Sequence, residues 1–204
     1  MRLGLAENTL VVFASDNGGL IRPGRSLQGR PITVNDPLRG EKGTVYEGGI
    51  RVPLLVRWPG HVSAGAECTT PVTSEDLFPT FAAAAKAETP AAVTGLDLTP
   101  LLREQGGFER EALYWHYPHY HHMEPAGAIR RGDWKLVEHF EDGRLELFNL
   151  AKDLGETNDL SAQESQRTAE MRAALAAWRE KISARMPSKN PKFDPNRAGE
   201  FGQR

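Results

Sequence analysis

The chain has 204 residues, 39% of them hydrophobic and 8% aromatic, which suits one large domain or one and a half small ones. Its formal net charge is −2 at pH 7 and its basic residues are scattered, which excludes the dense basic face of a nucleic-acid-binding protein. The single cysteine, Cys68, cannot form an internal disulfide, and no stretch is apolar and long enough to span a bilayer.

The first predicted element is a strand close to the start of the chain. Residues 9–14 are continuously apolar and β-branched rather than alternating, which predicts a fully buried strand of a parallel sheet. Residues 1–8 lack the apolar core of a signal peptide, so we expect the chain to begin inside a larger domain. Residues 20–41 are rich in Gly, Pro and Arg, which predicts a long functional surface loop.

Further strand and helix signals follow in alternation. Residues 50–60 predict a second buried strand, residues 73–87 a helix capped by Thr73 or Ser74, and residues 97–105 a short helix. The apolar face of the first helix is expected to consist of Leu77, Phe78 and Phe81. Alternating buried strands and helices favour an α/β sheet.

The pattern changes after residue 110. Segments 111–117, 126–140 and 144–150 alternate apolar and polar residues around Gly-Asp and Asp-Gly turns, which predicts an antiparallel meander. Residues 163–184 predict an amphipathic helix. Its apolar stripe is expected to consist of Met171, Leu175, Trp178 and Ile182.

These elements predict three parts of the chain. We expect the α/β part to occupy residues 1–108, a small α+β subdomain residues 109–186, and a polar tail residues 187–204. In the subdomain the antiparallel sheet is expected to pack on the C-terminal helix.

Two oxygen-bearing side chains follow the first strand. Asp16 and Asn17 offer a carboxylate and an amide carbonyl at the edge where α/β sheets bind ligands. Such hard oxygen donors suit Ca²⁺ or Mg²⁺ better than zinc. The alternative is a local turn in which both side chains only satisfy the backbone before Gly18.

A lysine between glycines is the second candidate. Lys42 lies between Gly40 and Gly43, where a flexible backbone can bring its ammonium close to an anion. The alternative is a solvated loop lysine. Glu47 and the two glycines after it indicate a tight approach into the next strand.

Four histidines lie close together in the sequence: His116, His119, His121 and His122. They fit a surface loop better than a zinc site, because no cysteine, carboxylate or further histidine pairs with them at a familiar spacing. Asp133, Trp134 and Lys135 indicate a turn with a packed tryptophan.

Five segments occur in a fixed order that resembles a known family. They are VVFASDNGG, RGEKGTVYEGGIRVPLLVRWPG, TSEDLFPT, AIRRGDWKLV and ELFNLAKDLGETNDLS. This order closely resembles the C-terminal half of the type I sulfatases, the arylsulfatase-like, formylglycine-dependent branch of the alkaline phosphatase superfamily. The resemblance covers residues 3 to about 197 and implies the C-terminal part of their α/β domain.

The resemblance implies roles for the candidate residues. Asp16 and Asn17 would bind a calcium ion, and Lys42 would contact the sulfate group of a sulfated small molecule, glycan or aryl sulfate. A divalent ion and a fixed ammonium both offset the negative charge that a sulfate ester develops in the transition state. The segment with His116 and His119 is similar to one that lines the substrate cleft in bacterial sulfatases.

The chain departs from the family pattern at the nucleophile. Sulfatases carry a Cys-x-Pro-x-Arg segment whose cysteine becomes formylglycine, whereas Cys68 is followed by Thr-Thr-Pro-Val, so we interpret Cys68 as a structural or surface thiol. We therefore expect the 204 residues alone to be inactive and an exposed sheet edge to favour self-association. Two alternatives remain open: a phosphodiesterase or phosphonate hydrolase of the same superfamily, and a non-catalytic module that binds glycans or a partner.

Overall fold

The computed structural model describes residues 3–21 and 32–194. Parts of the predicted loop (residues 22–31) and of the predicted tail (residues 195–204) lie outside the described residues. In chain order the strands and helices are β1 (Val11–Ala14), α1 (Glu47–Ile50), β2 (Leu54–Arg57), α2 (Leu77–Ala84), α3 (Thr99–Leu102), β3 (Leu113–Tyr117), β4 (Ala126–Arg131), β5 (Trp134–His139), β6 (Leu145–Asn149) and α4 (Ser165–Lys181). No helix in this part of the chain is long and apolar enough to cross a membrane.

The chain divides into two compact units. One consists of Met1–Ala14 and Pro53–Arg110, and the other of Ser15–Val52 and Glu111–Arg204. The second unit therefore contains every candidate site residue. The domain boundaries at 108/109 and 186/187 stay a prediction.

The first unit contains β1 and β2, which form an antiparallel ribbon with Val11 opposite Arg57 and Ala14 opposite Leu54. The prediction of buried strands in a parallel sheet is wrong for these residues. Val11 is 47% exposed and Phe13 is 63% exposed, because in the described part of the chain the sheet has two strands. Self-association through this ribbon stays a prediction.

The predicted helix begins with a short 3-10 turn (Ser74–Asp76) that leads directly into α2. Thr73 and Asp76 form a capping box in which the Thr73 N–H donates to Asp76 Oδ2 at 2.7 Å, so the predicted cap at Thr73 is confirmed. The predicted apolar face is wrong at Phe78 and Phe81, which are 55% and 44% exposed. The buried groups here are polar instead: Thr80 of α2 donates its hydroxyl to Asp76 O at 2.6 Å, and Asp76, just before the helix, accepts from Arg110 Nη2 at 2.5 Å.

The second unit is built on the predicted meander. Strands β3 to β6 pair antiparallel in sequence order, which confirms the predicted sheet. Ala128 of β4 lies opposite Trp115 on one side and Val137 on the other. Gly132 adopts φ +58° in the tight turn between β4 and β5, a backbone conformation that suits glycine.

One face of this sheet is covered by α4. Ile129, Leu136 and Leu147 pack there against Met171 and Leu175, which confirms that the sheet packs on the C-terminal helix. Trp178 packs at the edge of the same cluster, whereas the predicted contribution of Ile182 is wrong because that side chain is 46% exposed.

The opposite face of the sheet is covered by the segment that leads into α1. Val45 and Tyr46 pack there against Ala128, Val137 and Phe148. Successive strand residues point to opposite faces, so Leu136 faces α4 while Val137 faces this segment. The chain next to Lys42 is thereby fixed on a rigid sheet.

Candidate functional site

The turn after β1 combines local hydrogen bonds with an exposed carboxylate. Ser15 Oγ donates to Asn17 O at 2.8 Å, and Asn17 Nδ2 donates to Gly18 O at 2.9 Å. Asp16 is exposed and forms no hydrogen bond or ion pair with the described residues. The amide nitrogen thus stabilises the turn, as in the local-turn interpretation, while the Asp16 carboxylate remains available to a ligand.

The turn at Asp16 lies beside the turn at Lys42. The Gly18 N–H donates to Gly49 O at 2.9 Å, and the Lys42 N–H donates to Gly19 O at 3.1 Å. A β-carbon on Gly18 would overlap the backbone oxygen of Gly48, so this close approach requires glycine. The structure therefore brings the two predicted site segments together.

Asn35 connects the same backbones. Its Nδ2 lies 2.9 Å from Gly19 O, 3.1 Å from Gly40 O and 3.2 Å from Gly48 O. One amide group thus contacts the Asp16 turn, the Lys42 turn and α1. Sequence reasoning missed this residue, because an asparagine before Asp-Pro is typical of an ordinary loop.

Lys42 is exposed on a turn whose backbone is internally bonded. Thr44 Oγ1 donates to Glu41 O at 2.8 Å, and buried Glu41 accepts the Ile21 N–H at 2.7 Å. Gly43 adopts φ +82°, so the turn reverses immediately after Lys42. The ammonium consequently extends from a fixed backbone into solvent, where it can meet an anion.

Two of the four histidines contact the Lys42 turn. His122 Nδ1 lies 2.6 Å from Lys42 O, and because a carbonyl only accepts, this nitrogen carries the proton. A β-carbon on Gly43 would overlap His121, whose ring stacks on His122 at 4.2 Å. We did not predict these two as site residues; their distance from Lys42 in the sequence hides the contact.

The two histidines that we did predict lie elsewhere. His116 Nε2 lies 2.9 Å from Arg185 O, and its ring lies 5.4 Å from that of Phe140. His119 is exposed, with an edge-on contact to Tyr117 at 5.7 Å. Among the described residues neither shares a hydrogen bond or ring contact with the Lys42 turn, and their substrate role stays a prediction.

The donor set fits part of a calcium site. Asp16 and Asn17 supply hard oxygens of the kind that Ca²⁺ prefers, but two donors fall short of the six to eight that it usually takes. Across residues 3–21 and 32–194, no group of three or more His, Cys, Asp or Glu side chains could hold a metal ion. Cys68 is exposed and unpaired, which confirms its interpretation as a surface thiol.

A charge network around buried Glu146 anchors the chain on both sides of Lys42, at Arg39 and at Tyr46. Glu146 of β6 lies 2.5 Å from the Tyr46 hydroxyl, 2.8 Å from His139 Nε2 and 3.5 Å from Arg39 Nη2. Burial would raise the pKa of Glu146, but the hydrogen bonds from His139 and Tyr46 and the charge of Arg39 outweigh it and hold the pKa at about 2. The Arg39 guanidinium also stacks on the Tyr46 ring at 3.8 Å.

Comparisons with known proteins agree on one kind of relative. A family model described as "N-sulphoglucosamine sulphohydrolase, C-terminal" matches residues 40–182. A sulfatase of Formosa agariphila is 39% identical over a match of 194 residues that covers 86% of this chain and 34% of that protein. Human arylsulfatase A is 40% identical over 135 residues, which are 65% of this chain and 25% of that enzyme. The chain thus spans about a third or less of the length of these relatives.

Solved structures agree with the sequence comparisons. Ps i-CgsB in complex with k-i-k-neocarrahexaose is similar with a TM-score of 0.71 and 33% identity, over 85% of this chain and 37% of that one. A protein solved with its substrate D-glucosamine-2-N,6-O-disulfate has a TM-score of 0.71 and 26% identity, over 89% of this chain and 36% of that one. The mixed α/β fold predicted from the sequence is confirmed by these neighbours.

Proposed function

This chain belongs to the sulfatase family and matches its C-terminal portion, and from that premise we propose that it forms part of an enzyme that hydrolyses sulfate esters. One observation carries the proposal: the Asp16 turn is hydrogen-bonded to the Lys42 turn, through the Lys42 N–H and Gly19 O, and to α1, through the Gly18 N–H and Gly49 O. A carboxylate that suits a cation and an ammonium that suits an anion therefore extend from adjacent, fixed backbones.

Lys42 is proposed to bind the sulfate group. Its backbone N–H is bound to Gly19 O and its backbone carbonyl to His122. The backbone therefore loses little conformational entropy when an anion binds. Its ammonium is a point charge that opposes the negative charge on the sulfate oxygens and on the leaving oxygen.

Asp16 and Asn17 are proposed to supply two oxygen ligands to Ca²⁺. The ion, when bound, would stabilise negative charge on the sulfate group as a Lewis acid. The exposed Asp16 carboxylate fits this role, since no protein cation neutralises it among the described residues. The 204 residues contain no Cys-x-Pro-x-Arg segment, so the proposed formylglycine nucleophile would come from another segment.

The substrate class is proposed from the relatives. One structural neighbour is in complex with k-i-k-neocarrahexaose, and another with D-glucosamine-2-N,6-O-disulfate, a sulfated amino sugar. We infer a sulfated carbohydrate for this protein as well, with His116 and His119 as candidate substrate contacts. An aryl sulfate is the convenient assay substrate.

Lys42→Ala tests the proposal in an enzyme that joins this chain to a nucleophile segment. We expect turnover of an aryl sulfate to fall roughly a hundredfold or more, the usual scale for losing one preorganised electrostatic contact. Lys152→Ala, which also removes an exposed lysine, should leave sulfate release unchanged. Equal turnover in both variants would contradict the proposed role of Lys42.

A further inference from the structure

A fully buried lysine lies on the sheet face that supports the site. Lys135 of β5 is 0% exposed; its Nζ donates to Glu47 Oε1 at 2.9 Å and lies 2.8 Å from Glu156 Oε1. Both carboxylates are themselves buried, and Arg130 Nη1 lies 3.6 Å from the second oxygen of Glu47. Arg51 Nη1 lies 3.8 Å from the same oxygen, so a buried lysine and two buried carboxylates form one cluster with two less buried arginines at its edge.

Apolar packing alone does not explain this cluster. Burying an ammonium and two carboxylates costs solvation, and well-packed apolar side chains of similar volume often serve stability equally well. Leu136 and Val137 on either side of the sheet already supply apolar packing. Charged groups also fix the positions of the residues they pair with, because a buried ion is stable only next to its counterions.

The residue that this cluster holds in place is Glu47, the first residue of α1. The Glu47 N–H donates to Glu156 Oε2 at 2.7 Å, so both its backbone and its side chain are bound by the cluster. The two following residues contact the site: the Gly48 N–H donates to Arg39 O at 2.7 Å, and Gly49 O accepts from Gly18. A shift of Glu47 would therefore be transmitted to both site turns.

We propose that Lys135, Glu47 and Glu156 are positioning residues that fix α1 and thereby set the Asp16 turn against the Lys42 turn. Their relevance to catalysis rests on the proposed function, whereas their effect on the backbone does not. None of the three extends into the site, so they act through the backbone of α1.

Hydrogen exchange measured by mass spectrometry on the 204-residue chain tests this proposal. The paired variant Lys135→Met/Glu156→Gln removes one charge of each sign and leaves Glu47 with Arg130 and Arg51. We expect amides in residues 16–19 and 40–49 to exchange roughly tenfold to a hundredfold faster, since hydrogen bonds that depend on charged groups are lost. Exchange in β4 to β6 should stay within about twofold of the wild-type rate.

A matched control lies on the same strand and the opposite face. Glu138 of β5 is buried and contacts α4 through Arg172 Nε at 3.1 Å and Arg179 Nη2 at 2.5 Å. Glu138→Gln should accelerate exchange in α4 and leave residues 16–19 and 40–49 unchanged.

Three results would overturn the proposal: no acceleration in the site turns, equal acceleration in the Glu138→Gln control, or acceleration spread evenly over the sheet. If the paired variant fails to fold, the single variant Glu156→Gln is measured in its place. Its glutamine side chain keeps an acceptor for the Glu47 N–H. Hydrogen exchange does not require turnover, so the positioning role could be confirmed even if Lys42→Ala did not affect sulfate release. Likewise, unchanged exchange would not contradict the proposed role of Lys42.

Discussion

The pKa of Glu146 predicts how the stability of the second unit depends on pH. A carboxyl whose pKa is lower in the folded than in the unfolded chain stabilises the fold above its unfolded pKa and loses that contribution as the pH falls. The pKa of Glu146 is lowered from the ordinary 4.5 to about 2, which corresponds to about 3 kcal/mol at neutral pH. By the same linkage, about 1 kcal/mol remains at pH 3, so about 2 kcal/mol is lost between pH 7 and pH 3.

Glu146→Gln isolates this contribution because glutamine does not titrate. The free energy of unfolding should be higher for the wild type at pH 7, and the gap to the variant should shrink by about 2 kcal/mol at pH 3. Urea unfolding followed by tryptophan fluorescence measures it; Trp115, Trp134 and Trp178 all lie in the second unit. Glu111→Gln, which removes an exposed carboxylate, should give a gap that is nearly independent of pH. A Glu146→Gln gap of equal size at both pH values would refute the assigned network.

Three further predictions concern the site. Gly18→Ala should lower the free energy of unfolding, measured in urea, by about 2 kcal/mol or more, because the added β-carbon would overlap the backbone of Gly48. In the control Gly155→Ala the nearest atom to the added β-carbon lies at 3.2 Å, and the loss should be less than half as large. In a complete enzyme, His116→Ala or His119→Ala should change which sulfated substrates are hydrolysed while the calcium content by elemental analysis stays the same; a loss of calcium would contradict their assignment. Calorimetry on the 204-residue chain should show calcium binding weaker than about 1 mM, since two protein oxygens are too few, and a micromolar site would show that further ligands exist.

The small sheet and its helix could be predicted because their signals are local. Alternation of apolar and polar residues in segments 111–117, 126–140 and 144–150 predicts strands, and the stripe at Met171 and Leu175 identifies the buried face of α4, both without knowledge of the partner. The cap at Thr73 is equally local, since it depends on Asp76 three residues later. Where burial depends on what covers a surface, as at Phe13 of β1, the sequence pattern predicted a core that the described residues do not supply.

The contacts that organise the site could not be predicted, because they join residues far apart in the chain. Lys135 follows a Gly-Asp turn, where a lysine is ordinarily solvated, and its partner Glu47 lies 88 residues away. Alternation does place Lys135 on the same face as Val137, which was the available signal. His122 lies 80 residues from Lys42, and no spacing rule relates them.

The site segments share a design in which backbone groups are satisfied internally while charged side chains are left exposed. The Lys42 N–H, the Gly18 N–H and the three carbonyls near Asn35 all have protein partners, yet Asp16 and the Lys42 ammonium extend into solvent. An anion or cation that binds there need not order the backbone first, so more of the electrostatic attraction appears as binding. Variants of Asn35 or Lys135 should therefore disorder the turns and weaken binding at the proposed site, because the amide of Asn35 contacts three backbone carbonyls and the ammonium of Lys135 contacts two carboxylates.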